Sequence, residues 1–532
     1  MKINPRIWFF SATVAYLIVL FIATPKELSW WYVVAFFCFS LFVFFIAPQA
    51  LREKMKMDDA LWRTIATIAI LLLIASRVVA FVHWGEAPFG YDTGIYLETF
   101  RQYQSSTDAN PLWLIARLSY WIGLSPEQSM TIAYAFWNML LAGGVYLAVK
   151  SLFGKRIYAV AALFIFSVSI AQYEAYAWMF YRMMISFVFA MGTIALLGRR
   201  SWLAAITGSM AGVIHPAGFM LFAFGYLLTF FGSCIQWARS RSTVWKTTTV
   251  YLFVVGMVML AISLTVNPVE YRGMIHFITD EKLQLDAVDQ YLSQELSGAY
   301  LNYSGFIVSI LLYLPFVLVG YWWLIRTYKT WRSQPSSLAL LCAGVMLLVT
   351  FFYIGGEFIF FRRFLLFLDL LLLIPASVAL GSFMNYFSTE WVGKTFLLFL
   401  LAGFSLLSLT YAWTRPPHIP PEELQEMKRV SMMMEDEAYA MATNTYYTPW
   451  VYGYLSRKAI APGYFLNIWS TDEWGRFWHT GTDTQREALL REYGDEPIYL
   501  FIGSRQEAYP ALEDFLSEHA QQVGLFIWKY QP

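Results

Sequence analysis

The sequence predicts a polytopic α-helical membrane protein of about thirteen transmembrane helices, followed by a small C-terminal α/β soluble domain. Three observations predict it. Only 14% of the 532 residues are charged, while 58% are hydrophobic. Soluble proteins carry about 25% charged residues, and lipid selects against charge because each one at the bilayer centre costs several kcal/mol. Long apolar runs recur from position 7 to position 412. Beyond position 415 the composition turns polar: 10 basic against 17 acidic residues, a net of −7.

A transmembrane helix needs about 20 apolar residues, and about 17 at the least. Clear spans are 7–23, 29–47, 62–82, 128–150, 177–198, 246–266, 304–325, 337–354, 361–381 and 393–412. Residues 156–171, 201–214 and 217–235 are shorter or interrupted by proline, and the charge pattern requires all three. Lys2 and Arg6 precede the first run and no small-residue cleavage site follows, so it reads as a membrane anchor rather than a signal peptide.

Lys and Arg concentrate in cytoplasmic loops. With the N-terminus cytoplasmic, the inner segments hold 18 of the 27 basic residues before position 415, among them Arg52, Lys54, Lys56, Lys155, Arg199, Arg200, Arg239 and Lys394. An odd number of spans then places the C-terminal domain outside a plasma membrane. The outer loops 83–127 and 267–303 are long. Residues 94–104 and 111–122 of the first have the aromatic spacing of amphipathic helices lying at the interface.

The transmembrane domain covers 1–414 and the soluble domain 415–532. The segment Arg415-Pro416-Pro417-His418-Ile419-Pro420-Pro421 separates them, because it cannot continue a helix. Apolar runs at 497–502 and 524–530 read as strands, and 421–436, 484–493 and 507–520 as helices. The three cysteines lie in apolar runs, which excludes a disulfide framework. A net charge of +1 gives no sign of a nucleic-acid partner. There is no P-loop, no His-Glu-x-x-His and no Cys-x-x-Cys.

On this topology the unusual polar residues gather in one outer layer. Asp92 lies in Phe89-Gly90-Tyr91-Asp92-Thr93-Gly94 and Glu174 in Gln172-Tyr173-Glu174-Ala175-Tyr176. His215 marks the outer end of a span, Glu270 and Arg272 open the second loop, and Glu357, Arg362 and Arg363 begin the twelfth span. Arg77 and Arg182 lie within spans near their outer ends, and Asp369 lies deeper, where it calls for a partner such as an arginine. Each has a bland reading beside a functional one. Arg362 and Arg363 either snorkel or pair with Glu357 or Asp369, or they recognise a phosphate, which suits planar guanidinium groups. Asp92 is a helix cap or a general base. Glu174 is a solvated turn carboxylate or a cation ligand. His215 is a satisfied interfacial histidine or a substrate contact, and Arg77 and Arg182 snorkel or bind the same anionic group.

This layout resembles the GT-C superfamily of membrane glycosyltransferases. The likeness rests on Gly90-Tyr91-Asp92-Thr93-Gly94-Ile95-Tyr96-Leu97 in a first outer loop with amphipathic helices, on Ser169-Ile170-Ala171-Gln172-Tyr173-Glu174-Ala175 in the next outer turn, on Arg362-Arg363-Phe364-Leu365 with Pro375 downstream, and on the C-terminal domain. Trp450-Val451-Tyr452-Gly453-Tyr454 is similar to the Trp-Trp-Asp-Tyr-Gly signature of oligosaccharyltransferase catalytic subunits, without its aspartate, so the likeness extends to the superfamily and not to sequon glycosylation. It implies inverting transfer of a sugar from a polyprenyl-phosphate-linked donor to a glycan, lipid or protein acceptor on the outer side. Asp92 is then the catalytic base and Arg362 and Arg363 hold the donor phosphate. Glu174 is the candidate ligand for Mg2+ or Mn2+. Glu357, His215, Arg272, Arg182 and Arg77 are candidate substrate contacts. A lipid-linked glycan polymerase or ligase, and a transporter or flippase of lipid-linked sugars, are the alternatives.

Overall fold

The computed structural model describes residues 30–52, 59–85, 89–105, 114–272, 313–327, 361–388, 390–505 and 508–532. The expected spans 7–23 and 337–354, Glu357 and most of the loop 267–303 lie outside the described residues.

Fourteen helices precede the C-terminal segment among the described residues: α1 Trp30–Arg52, α2 Asp59–Trp84, α3 Thr93–Ser105, α4 Leu114–Trp121, α5 Pro126–Phe153, α6 Arg156–Val168, α7 Ile170–Ala177, α8 Tyr181–Leu197, α9 Leu203–Ile214, α10 Pro216–Ser240, α11 Thr243–Val266, α12 Leu314–Arg326, α13 Phe361–Phe387 and α14 Trp391–Thr414. Six of them are long and apolar enough to cross a membrane, and seven spans result if the bent pair α6–α7 is one. The chain is a membrane-integral helical protein. Its helix ends follow local chemistry. The start of α5 is fixed by a Ser125–Gln128 capping box with Pro126 in the first turn, and its end by Gly154 in the left-handed region at φ 68°. Helices α3 and α4 occupy the two stretches read as amphipathic in the first long loop.

Helix α13 lies at the centre. Its apolar stretch Leu366–Phe387 is buried except for the half-buried Tyr386, whereas only 33% of the most apolar part of α11 is. A helix that is hydrophobic all round belongs inside the protein. It packs against α1, α6, α12 and α14. By contrast, α11 turns Phe253, Met257 and Leu260 outward.

The span at 156–171 is broken. Helices α6 and α7 meet at a 56° bend. Ser169 sits at the break, where its hydroxyl accepts the Gln172 amide at 3.2 Å and donates to Asp369 at 3.0 Å. Asp369 of α13 is fully buried and also accepts from the Gln172 side chain at 2.7 Å and from the Tyr313 hydroxyl. Among the described residues its partners are a serine, a glutamine and a tyrosine; the pairing with Arg362 or Arg363 expected from sequence falls on side chains outside the described residues.

The C-terminal segment begins with helix α15 Pro421–Ser431 and forms a six-stranded sheet in the order β3-β2-β1-β4-β6-β5, with β1 Tyr439–Ala442, β2 Ala459–Ala461, β3 Tyr464–Phe465, β4 Ile498–Phe501, β5 Gln521–Gln522 and β6 Ile527–Tyr530. Strand β1 is parallel to β2 and β4, and the other pairings are antiparallel. Alternation of side chains splits the sheet's residues between two cores. Met441, Ile498 and Leu500 pack on Trp474, Phe477 and Leu512 in a separate cluster. Ala440, Ala442, Tyr499 and Phe501 face Met427, Tyr447 and Trp450, which are continuous with the core of the helical bundle. The sheet is therefore docked on the bundle through one face.

Candidate active site

Asp92 is half-buried in the turn immediately before α3. Its carbonyl accepts the Tyr96 amide at 3.2 Å, and the Thr93 hydroxyl ties the turn to the Gly90 carbonyl at 2.6 Å. The turn presses on the α7–α8 connection. A Cβ at Gly90 would lie 2.5 Å from Trp178 Cα. In that connection Met179 is held at φ 61°, a conformation that bulky side chains rarely adopt. Strain of this kind persists only where the surroundings enforce it, often near functional sites.

Two chains of contact lead away from Asp92. In the first, the Tyr96 hydroxyl accepts the Arg182 amide at 3.5 Å. The Arg182 guanidinium donates to the Ile214 carbonyl at 3.0 Å and pairs with Glu270. The next residue, His215, caps α10, its Nδ1 accepting the Gly218 amide at 2.9 Å. In the second, the Tyr91 ring meets His418 edge-on at 5.8 Å, and His418 meets Trp178 at 5.6 Å. Arg415 lies over Trp178 at 5.3 Å and donates to Glu174 Oε1 at 2.7 Å, while the Tyr411 hydroxyl donates to the same oxygen at 2.6 Å. Asp92, Arg182, His215, Glu270 and Glu174 thus lie along one connected set of residues at one end of the bundle.

Glu174 differs from the solvated carboxylate of the bland reading. It and Arg415 are 7% and 10% exposed. The Arg415 guanidinium already compensates the charge that Glu174 would offer a divalent cation. Among the described residues, one group of three potential metal ligands occurs, the exposed Asp483, Glu518 and His519.

Arg77 is buried rather than snorkelling. Its Nε donates to Asn138 and its Nη1 to Ser76, each at 3.0 Å, and its guanidinium lies 5.3 Å from the rings of both Tyr173 and Tyr176. Its Nη2 is buried without a hydrogen-bond partner. Arg272 is exposed at the edge of the described residues. Arg362 and Arg363 open α13. Gln172 donates to the Leu366 carbonyl at 3.1 Å, which ties the first turns of α13 to the helix carrying Glu174. Leu366 lies four residues past Arg362, about 6 Å along the axis.

His418, Arg415 and Tyr411 were not singled out from sequence. His418 is enclosed by Tyr91, Trp178, Tyr446 and Trp450, with the Tyr446 ring stacked at 4.0 Å. Its Nε2 bonds the Tyr446 carbonyl at 2.9 Å, so that nitrogen carries the proton, and Nδ1 is buried and unpartnered. Burial pushes its pKa down to about 3. The available signal was position: a basic and an imidazole side chain directly follow the last span, on the side where Asp92 was expected.

These features define a membrane-integral protein whose polar residues converge at one end of a helical bundle. No protein-family model and no curated protein sequence matches the chain. Among the solved structures that share its fold are ArnT from Cupriavidus metallidurans bound to undecaprenyl phosphate, at TM-score 0.53, and the same protein in the apo state, at 0.52. In both comparisons the identity is 14%, covering 86% of this chain and 97% of the other. The likeness is one of fold.

Proposed function

We propose that this chain is a GT-C glycosyltransferase that moves a sugar from a polyprenyl-phosphate-linked donor to an acceptor on the extracytoplasmic side, with inversion. The observation that carries the reading is the shared fold with ArnT, whose structure holds undecaprenyl phosphate. The half-buried Asp92 at a braced turn supports the assignment of the base. A base must sit within hydrogen-bond reach of the proton it takes, and burial keeps it from bulk water.

In this reading the acceptor's oxygen or nitrogen attacks the anomeric carbon as Asp92 takes its proton. The bond from that carbon to the phosphate oxygen breaks, and its electron pair leaves with the lipid phosphate. Arg362 and Arg363 counter the charge that grows on that phosphate, the kind of interaction that is strongest in the transition state. Arg182, held by Glu270 and the Ile214 carbonyl, and His215 beside it bound the sugar's side of the site; Arg272 at the start of the second loop and Glu357 before the twelfth span are further substrate contacts in this reading. This reading assigns no step to a divalent cation, since Glu174 is paired with Arg415.

One observation favours a transporter instead. The broken pair α6–α7 around a buried Asp369 is the kind of interrupted helix on which transport sites are built. Purified protein in lipid nanodiscs, given a panel of polyprenyl-phosphate sugars and crude cell-envelope acceptors, separates the two. A transferase releases free polyprenyl phosphate from one donor. If no donor is consumed but labelled donor crosses the bilayer of a proteoliposome, the transferase reading fails.

A further inference from the structure

The helix that follows Asp92 is gripped along its length by the C-terminal segment. The segment's helix Thr448–Tyr454 crosses α3 so closely that a Cβ on Gly94 would lie 1.7 Å from the Pro449 carbonyl oxygen, and one on Gly453 would lie 2.4 Å from Gly94 Cα. Only glycine at both positions admits this approach. One turn further, Glu98 of α3 is 1% exposed yet ionisable. Arg457 of the C-terminal segment meets its Oε1 at 2.5 Å, Arg101 meets its Oε2 at 3.5 Å, and Gln102 donates to Oε1 at 3.3 Å. Arg101 also donates to the Gly453 carbonyl. A buried carboxylate demands such partners, because its charge is costly without them. A second tie fixes the neighbouring span: Lys428 and Tyr454 both hold Glu127 of α5, at 2.9 and 2.8 Å.

We propose that the Gly94–Gly453 crossing and the Glu98–Arg457 pair form a latch through which the C-terminal segment positions Asp92. The inference rests on the transferase reading for its catalytic consequence. Glu98 and Arg457 are positioning residues: they lie six and more positions from Asp92 along the chain and act through the helix. The latch borders a cavity of about 430 Å³ lined by Glu98, Arg101, Tyr452, Arg457 and Lys458 among others. Arg457 is 62% exposed on that side, so it can be removed without opening the core.

The test compares wild type, Arg457→Ala and Arg457→Lys in nanodiscs by amide hydrogen exchange and by turnover of the accepted donor. Lys529→Ala is the control, since it breaks a separate ion pair of the segment, with Glu435, which lines the same cavity. Exchange over residues 93–105 should speed up about tenfold in Arg457→Ala, with the spans unchanged. The kcat should fall by about ten- to a hundredfold, more than KM changes, as expected of a misplaced catalytic group. Arg457→Lys should restore much of both, and Lys529→Ala should alter neither. Unchanged exchange in Arg457→Ala overturns the latch. Faster exchange with unchanged kcat overturns its positioning role. If wild type consumes no donor, the transferase reading fails, while exchange still decides whether the latch exists.

Discussion

At the scale of single residues, the side chains around Asp92 are set by pairing rather than by exposure. Glu174 and Arg415 form an ion pair inside the protein, with Tyr411 on the same oxygen. Removing one partner of a buried pair leaves an uncompensated charge. Arg415→Ala should therefore cost about 3–5 kcal/mol, measured by denaturant unfolding in detergent. A loss below about 1 kcal/mol would mean that water reaches Glu174. His418 makes a pH-dependent contribution. Its folded pKa of about 3 lies below the usual histidine value of 6.5, so the unfolded chain binds the proton first. The stability it confers is complete above pH 6.5 and is lost as pH falls from there towards 3. Replacing it with phenylalanine should flatten the decline of melting temperature across that window. An unchanged slope would show that the ring is hydrated.

At the scale of elements, amphipathic spacing disclosed the loop helices, and apolar runs disclosed β4 and β6. The break in the span at 156–171 was hidden because its cause lies on another element. Ser169 is an ordinary residue in sequence, and it becomes a hinge because Asp369, 200 positions away, accepts its hydroxyl. Likewise the short strands β2 and β3 carry too few residues to show a period of two. The cap reading and the base reading of Asp92 are not exclusive, since the residue stands at the start of α3 with its side chain half-buried. Asp369→Leu should orphan the donors of Ser169, Gln172 and Tyr313, at roughly 1–3 kcal/mol each, whereas Asp369→Asn keeps an acceptor in place and should cost less. Equal losses from both, read by thermal unfolding, would contradict this account of the hinge.

At the scale of the whole molecule, charge counting along the chain placed Asp92, Glu174, Arg182, His215 and Glu270 in one layer, and the contacts between them join that layer at one end of the bundle. What the sequence could not disclose is how the C-terminal segment joins in. Its sheet shares a core with the bundle, and its linker supplies Arg415 and His418 beside Glu174 and Tyr91. Composition marks a boundary at position 415, but the contacts across that boundary depend on folding. The central claim is that Asp92 is the base of a sugar transfer. The most direct test is turnover of the accepted polyprenyl-phosphate sugar by Asp92→Asn against wild type, both in nanodiscs and both verified as folded. Loss of a general base should lower kcat by about a hundredfold or more. A mutant that turns over as fast as wild type would contradict the account.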